Sequence, residues 1–151
     1  GFGWEQKKYQ YQNSLCSELS KKSNSIHLLQ NEDYDIIPYY LSADMLISDI
    51  SSTLFEYLPM DKPIIQAQCY NLKLKHRIFN KRFWKKMDID RQDNVDFAYQ
   101  IVEADDILGM VYYAMDNHDE MSTKRKEATE HYLYKVDGNA SSRLIDAIEA
   151  Y

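Results

Sequence analysis

The sequence predicts an α/β domain with a Rossmann-like three-layer fold and a small parallel sheet. Two short apolar runs, residues 45–47 and 64–65, flank a helical pattern, and each is typical of a strand buried on both faces. Strand and helix patterns alternate along the chain over short connections, as they do in βαβ units. The 151 residues, of which 44% are hydrophobic, suffice for a single domain with its own core.

The helices are predicted from their period and their end signals. Pro38 fits only the first turn of a helix, so the second helix begins close before it. A turn at 137–139, which contains Gly138, precedes the last helix, and we expect the apolar residues Leu144, Ile145 and Ile148 of that helix to face the core. In chain order, we predict helices over residues 4–19, 35–42, 53–58, 105–117, 120–134 and 141–150.

The strands are predicted from short apolar runs bounded by polar or turn-forming residues. In chain order, they cover residues 26–29, 43–48, 64–67 and 100–102. Residues 69–93 mix aromatic and cationic side chains and show no clear period. A sheet of about four strands is smaller than that of a complete doubly wound domain, which indicates that the chain is part of a larger architecture.

Composition excludes several classes of protein. No apolar run approaches the roughly 20 residues of a membrane-spanning helix. Cys16 and Cys69 form no metal-binding spacing with the histidines, so we predict neither a metal nor a cofactor. Glu5, Lys7 and Lys8 interrupt any signal-peptide pattern at the start of the chain. These features favour a cytoplasmic protein.

Residues 73–86, here called the basic segment, carry seven cations and no acid. Without these seven charges the net charge of −6 becomes −13, so the rest of the chain is strongly acidic. The segment can bind anionic lipid headgroups on the inner face of the cell membrane or a phosphate-rich acceptor polymer. Alternatively, it is an amphipathic helix that packs on a missing half of the protein and keeps its cations in solvent. The surrounding acidity disfavours nucleic acid, and we predict no such partner. The cations are Lys73, Lys75, Arg77, Lys81, Arg82, Lys85 and Lys86.

Residues 43–63 contain the candidate binding residues. Ser51 and Ser52 stand between a predicted strand and a predicted helix, where backbone N–H groups and hydroxyls can bind a phosphate or where one serine can simply cap the helix. Glu56 lies one helical turn after Ser52 and is either an acceptor for ribose hydroxyls or a solvated side chain. Asp49 follows the strand, and we expect it to bond its own turn more readily than a substrate.

Two motifs carry a resemblance to a known family. The first is residues 43–52, Ala-Asp-Met-Leu-Ile-Ser-Asp-Ile-Ser-Ser, followed by Phe-Glu-Tyr at 55–57 and Asp-Lys-Pro at 61–63. The second is residues 137–145, Asp-Gly-Asn-Ala-Ser-Ser-Arg-Leu-Ile. In this order they resemble the CDP-glycerol glycerophosphotransferase family of teichoic-acid primases and polymerases. The resemblance covers residues 26–148 and implies the C-terminal, nucleotide-binding half of a two-Rossmann-domain (GT-B) glycosyltransferase.

The chain departs from the family pattern at three points. Ile50 replaces a usual tyrosine and Glu56 replaces a more common aspartate, and both changes are mild. The family also has a catalytic histidine in a His-Pro pair upstream of the strand, and no His-Pro pair occurs here. The resemblance therefore implies that no catalytic residue lies in this chain, that the acceptor-binding half is absent, and that the chain alone is inactive. The four histidines are His27, His76, His118 and His131.

The resemblance implies a transferase that moves glycerol phosphate from CDP-glycerol to an acceptor hydroxyl in the synthesis of a cell-wall or surface polymer. The reaction would be displacement at phosphorus with CMP leaving, and the flanking pattern favours phosphate contact for Ser51 and Ser52. Two alternatives stay open. One is a UDP-sugar glycosyltransferase or a nucleotide-sugar epimerase of the same fold, and the other is a non-catalytic domain that docks to a membrane or to a partner.

Overall fold

The computed structural model describes residues 3–29, 35–69 and 95–150. They fall into two compact units, Gly1–Ile37 and Pro38–Tyr151. The first unit contains helix α1, Gly3–Lys22, whose last turn carries Lys21 and Lys22, where cations complement the helix dipole. The helix predicted over 4–19 is confirmed and is slightly longer at its end.

The strand predicted over residues 26–29 is wrong. These residues have no strand conformation in the first unit, and Ile26 and Leu29 are exposed. An apolar run becomes a strand only when a neighbouring strand completes its hydrogen-bond ladder. The run itself does not reveal whether that neighbour exists.

The second unit is built on a parallel sheet. Within the described residues the sheet has three strands: β1, Leu46–Ser48; β2, Ile64–Ala67; and β3, Tyr99–Ile101. The strand order is β1-β2-β3, and both pairings are parallel. In register, Ser48 lies beside Gln66, and Gln66 lies beside Gln100. The predicted α/β class and the parallel sheet are confirmed.

The helices occupy most of the predicted positions. The helices predicted over 105–117 and 120–134 begin two residues later and end one residue earlier, because polar turn residues stand at their ends. The helix predicted over 53–58 divides into a short α-helix, Thr53–Glu56, and a 3₁₀ turn, Leu58–Met60, because Pro59 cannot donate a helical hydrogen bond. The bounds are α2, Ile37–Ser42; α3, Thr53–Glu56; α4, Ile107–Asp116; α5, Ser122–Leu133; and α6, Ala140–Glu149.

The core lies on both faces of the sheet. On one face Ile65, Tyr99 and Ile101 pack with Ala114 of α4. Ile64 points the opposite way because strand side chains alternate, and it is buried, as are Leu54 and Leu58 from the α3 region. The sheet is thereby held from both sides, and its polar strand ends face the surface.

The apolar side of α6 was expected to face the core, and this expectation is wrong. Leu144, Ile145 and Ile148 are 63%, 54% and 65% exposed. The helix itself is confirmed, and the turn before it contains Gly138 at a φ of 72°, a backbone conformation that suits glycine. A helical period predicts an apolar face, but it does not predict which surface covers that face.

Candidate functional site

Three hydroxyls meet where β1 ends and α3 begins. Ser48 Oγ lies 3.0 Å from Thr53 Oγ1, and Ser51 Oγ lies 2.6 Å from the same atom. The third side of the triangle, between Ser48 and Ser51, is 3.5 Å long. We call these three side chains the hydroxyl cluster. All three are partly buried, so the cluster forms a polar surface at the carboxyl end of a parallel strand, where ligands of open α/β sheets bind.

The two predicted serines differ in their environment. Thr53 donates its backbone N–H to Ser51 Oγ at 3.2 Å, so Ser51 takes the role of a turn-closing or capping side chain. Ser52 occupies the N-cap position, but its backbone is already helical and its hydroxyl makes no cap hydrogen bond. Ser52 is also exposed. Of the two side chains, Ser52 therefore has the more available hydroxyl.

Glu56 is the last residue of α3, and Asp49 directly follows β1. Both side chains are exposed. Glu56 accepts a long hydrogen bond, 3.4 Å, from the buried Tyr40 hydroxyl. Burial, together with the Glu56 carboxylate, raises the pKa of Tyr40 above its ordinary value of 10.0. Asp49 accepts no hydrogen bond within the described parts of the chain, so the expected bond to its own turn is absent there.

A row of carboxamides continues the polar edge across the sheet. Gln68 Nε2 lies 3.2 Å from Gln66 Oε1 and 3.2 Å from Gln100 Oε1. Gln100 in turn donates to the Val95 carbonyl at 3.2 Å. These residues were not among the predicted site residues. The available signal was Gln66 itself, a polar residue inside the buried run of β2.

The amino-terminal edge of the sheet is held by an ion-pair network centred on Asp61. Arg125 of α5, only 1% exposed, donates Nε to Asp61 Oδ1 at 2.9 Å and Nη2 to the Asp61 carbonyl at 3.0 Å. Ser122 donates to Asp61 Oδ2 at 2.7 Å, and Lys126 Nζ lies 3.1 Å from the same oxygen. Asp61 adopts a left-handed backbone with a φ of 49°, which aspartate tolerates better than most residues. This network was not predicted from the sequence, because Arg125 is one of several cations in a charged helix.

The charge of Asp61 is stabilised by this network. Partial burial acts against the carboxylate, but hydrogen bonds from Ser122, Lys126 and Arg125 outweigh it and lower the pKa of Asp61 below its ordinary value of 3.8. Beside Asp61, Lys62 Nζ donates to the Ala43 carbonyl at 2.6 Å, and the Tyr57 hydroxyl donates to the same carbonyl at 3.0 Å. The start of β1 and the start of β2 are thus tied together.

The basic segment lies outside the described residues. Across residues 3–29, 35–69 and 95–150, no helix combines the length and the apolar character needed to cross a membrane.

The fold and the polar edge define an α/β protein whose parallel sheet gathers hydroxyls and amides at its carboxyl end. Residues 7–150 match the family model of the CDP-glycerol:poly(glycerophosphate) glycerophosphotransferases. The match covers nearly the whole chain, and the chain belongs to this family. The resemblance expected from the two sequence motifs is therefore confirmed, and the chain is of a transferase family.

A curated relative agrees with the family match. The chain is 23% identical over 118 residues to the minor teichoic acid biosynthesis protein GgaB of Bacillus subtilis (strain 168). The aligned region is 78% of this chain but only 12% of that relative's length. No solved structure matches the chain significantly.

Proposed function

We propose that the chain forms the donor-nucleotide-binding part of a CDP-glycerol-dependent glycerophosphotransferase in teichoic acid synthesis. The observation that carries the proposal is the hydroxyl cluster with the neighbouring exposed hydroxyl of Ser52, which makes no cap hydrogen bond, at the carboxyl end of β1 in a chain of this family. The name of the B. subtilis relative supports the teichoic acid pathway. In the proposed architecture this unit is the C-terminal Rossmann-like half of a GT-B enzyme.

Each residue of the edge has a proposed part in donor binding. Ser52 donates its exposed hydroxyl to a phosphate oxygen, while Ser51 keeps the turn in shape through Thr53. Glu56 accepts hydrogen bonds from ribose hydroxyls, with Tyr40 holding the carboxylate in place. Asp49, exposed at the end of β1, borders the same site.

In the proposed reaction the oxygen of an acceptor hydroxyl bonds to the phosphorus that carries the glycerol. The bond from that phosphorus to the bridging oxygen breaks, and CMP leaves with the bonding electrons. The acceptor proton passes to a histidine base that belongs to the other half of the enzyme. We therefore expect this chain to bind the donor without turning it over.

Calorimetry on the 151-residue chain tests the proposal with CDP and CDP-glycerol. We expect binding of both by the unmodified chain and a loss of about tenfold or more with Ser51→Ala and Ser52→Ala together, since hydrogen bonds to charged groups are strong. A matched control is Ser141→Ala with Ser142→Ala, an exposed serine pair in the first turn of α6. No binding by the folded chain, or equal binding by both double variants, overturns the proposal. Preference for UDP over CDP would instead favour a UDP-sugar enzyme.

We further propose a cytoplasmic enzyme that associates with the inner face of the membrane through the basic segment. The support is the sequence alone, with seven cations in residues 73–86 of an otherwise acidic chain. We expect the chain to sediment with vesicles that contain anionic lipid, to be released by salt, and to ignore neutral vesicles. Equal sedimentation with both vesicle types contradicts the electrostatic mechanism.

A further inference from the structure

The Gln66 side chain is buried with an unused hydrogen-bond donor. Gln66 is 0% exposed, and its Nε2 has no hydrogen-bond partner within the described parts of the chain. Buried amide groups in proteins are almost always paired, because an unpaired donor loses its water without compensation. Within the described residues the other such atom is Arg125 Nη1, whose guanidinium already makes three hydrogen bonds at the amino-terminal edge. Gln66 Nε2 differs because it lies in the central strand at the carboxyl edge, next to the hydroxyl cluster, where a ligand can reach a partner position.

The orientation of the Gln66 amide follows from its neighbours. The Val95 carbonyl can only accept, so the Gln100 group facing it must be the NH₂. Gln100 Oε1 then faces Gln68, which must present Nε2 to it. The same Gln68 Nε2 therefore requires an oxygen on Gln66. The unpaired atom is consequently the nitrogen of Gln66, a group that donates and cannot accept.

The Gln66 amide lies beside the hydroxyl cluster. Gln66 and Ser48 are register partners on adjacent parallel strands, so their side chains project from the same face of the sheet. The neighbours of Gln66 on this face reach the surface, since Ser48 and Gln68 are partly exposed and Gln100 is exposed.

We propose that Gln66 donates a hydrogen bond to a phosphate oxygen of a nucleoside diphosphate bound beside the hydroxyl cluster. The inference rests on the proposed donor-binding function and adds a ligand contact from β2 that is separate from the serines. Phosphate oxygens suit the site because they accept without offering a proton, and the unpaired group is purely a donor. A metal cation does not suit it, because an NH₂ nitrogen offers a cation no lone pair.

Calorimetry with CDP on the Gln66→Met variant tests the contact, since methionine keeps the side-chain length and removes the donor. We expect CDP affinity to fall at least about tenfold, because the lost bond is to a charged oxygen. The melting temperature should change little, because the substitution removes an unpaired buried donor together with one acceptor of Gln68, which keeps its bond to Gln100. The matched control is Gln12→Met on the exposed face of α1, which should bind CDP as the unmodified chain does.

Nuclear magnetic resonance on the unmodified chain provides a readout that does not depend on a variant folding. The side-chain NH₂ signals of Gln66 should shift on addition of CDP and of inorganic pyrophosphate, and should not shift with cytidine. A shift with cytidine equal to that with CDP assigns the contact to the base and overturns the proposal.

The failures of the two proposals are distinguishable. If Gln66→Met binds CDP as tightly as the unmodified chain while the Ser51/Ser52 double variant does not, the Gln66 contact is wrong and the donor site stands. If the unmodified chain binds neither CDP nor pyrophosphate, both proposals fail together.

Discussion

The two edges of the sheet are built on different principles. At the amino-terminal edge, each acceptor before a strand receives more than one hydrogen bond. The Ala43 carbonyl before β1 accepts from Lys62 and Tyr57. Asp61 before β2 accepts two hydrogen bonds from Arg125. At the carboxyl edge, Ser52 has no cap bond and Gln66 keeps an unpaired donor. The first edge is dense in hydrogen bonds that stabilise the fold, although Arg125 Nη1 also has no partner within the described residues, whereas the second edge leaves the exposed Ser52 hydroxyl and the Gln66 amide beside a polar surface. A substitution should therefore reduce stability at one edge and binding at the other.

The largest effect is expected for Arg125→Met. The substitution removes three hydrogen bonds from a nearly fully buried guanidinium and leaves the Asp61 carboxylate without its main partner. Breaking a fully buried ion pair costs about 3–5 kcal/mol, and we expect a loss near the lower end, about 3 kcal/mol, because the Asp61 side chain is 32% exposed and keeps Ser122 and Lys126. Urea denaturation followed by circular dichroism measures the loss.

Lys126→Met is the control for Arg125→Met. Lys126 contacts the same carboxylate, but its side chain is 70% exposed, so we expect a cost below about 1 kcal/mol. If the two variants had equal free energies of unfolding, the buried hydrogen bonds of Arg125 would not be the main stabilising interaction at this edge.

A second, smaller effect is expected on the dependence of stability on pH. Folding lowers the pKa of Asp61 below its value in the unfolded chain. The Asp61 network therefore contributes its full stability at pH values above the unfolded pKa. This stability is lost as the pH falls through the folded pKa and the carboxylate is protonated. The Asp61→Asn substitution removes the titrating carboxyl, and asparagine tolerates the left-handed backbone as aspartate does. The free energy of unfolding measured between about pH 7 and pH 2 should fall less steeply for Asp61→Asn, and parallel profiles would contradict the assignment.

The smallest effect on stability is expected at the carboxyl edge. Ser52→Ala should change the free energy of unfolding by less than about 0.5 kcal/mol, since the hydroxyl makes no cap bond. Ser51→Ala should cost about 1 kcal/mol, because it leaves the Thr53 N–H without its acceptor. Thermal denaturation ranks the two variants. If Ser52→Ala proved the more destabilising, the division of roles between the serines would be reversed.

Much of the second unit could be predicted from local pattern. The strands β1 and β2, the beginning of α3 and the three C-terminal helices follow from apolar spacing, proline and glycine. Burial of Arg125 could not be predicted, because its partner Asp61 lies 64 positions earlier and no local rule joins them. Gln66 was overlooked for a related reason, since its meaning depends on register partners in other strands. Two predictions were wrong, the burial of the apolar face of α6 and the strand over residues 26–29. Each depends on a neighbouring element that packs or pairs with it, and the apolar period of a segment does not show whether that element exists.

The strand pairings also bear on the order in which the second unit folds. Leu46 pairs with Ile64, whereas Ile65 pairs with Tyr99, so the crossover to β3 is nearly twice as long as the crossover to β2. A doubling of loop length adds about 0.6 kcal/mol to the entropy lost on closure. We therefore expect β1, α3 and β2 to form an early nucleus, and β3 with α4 to join it later.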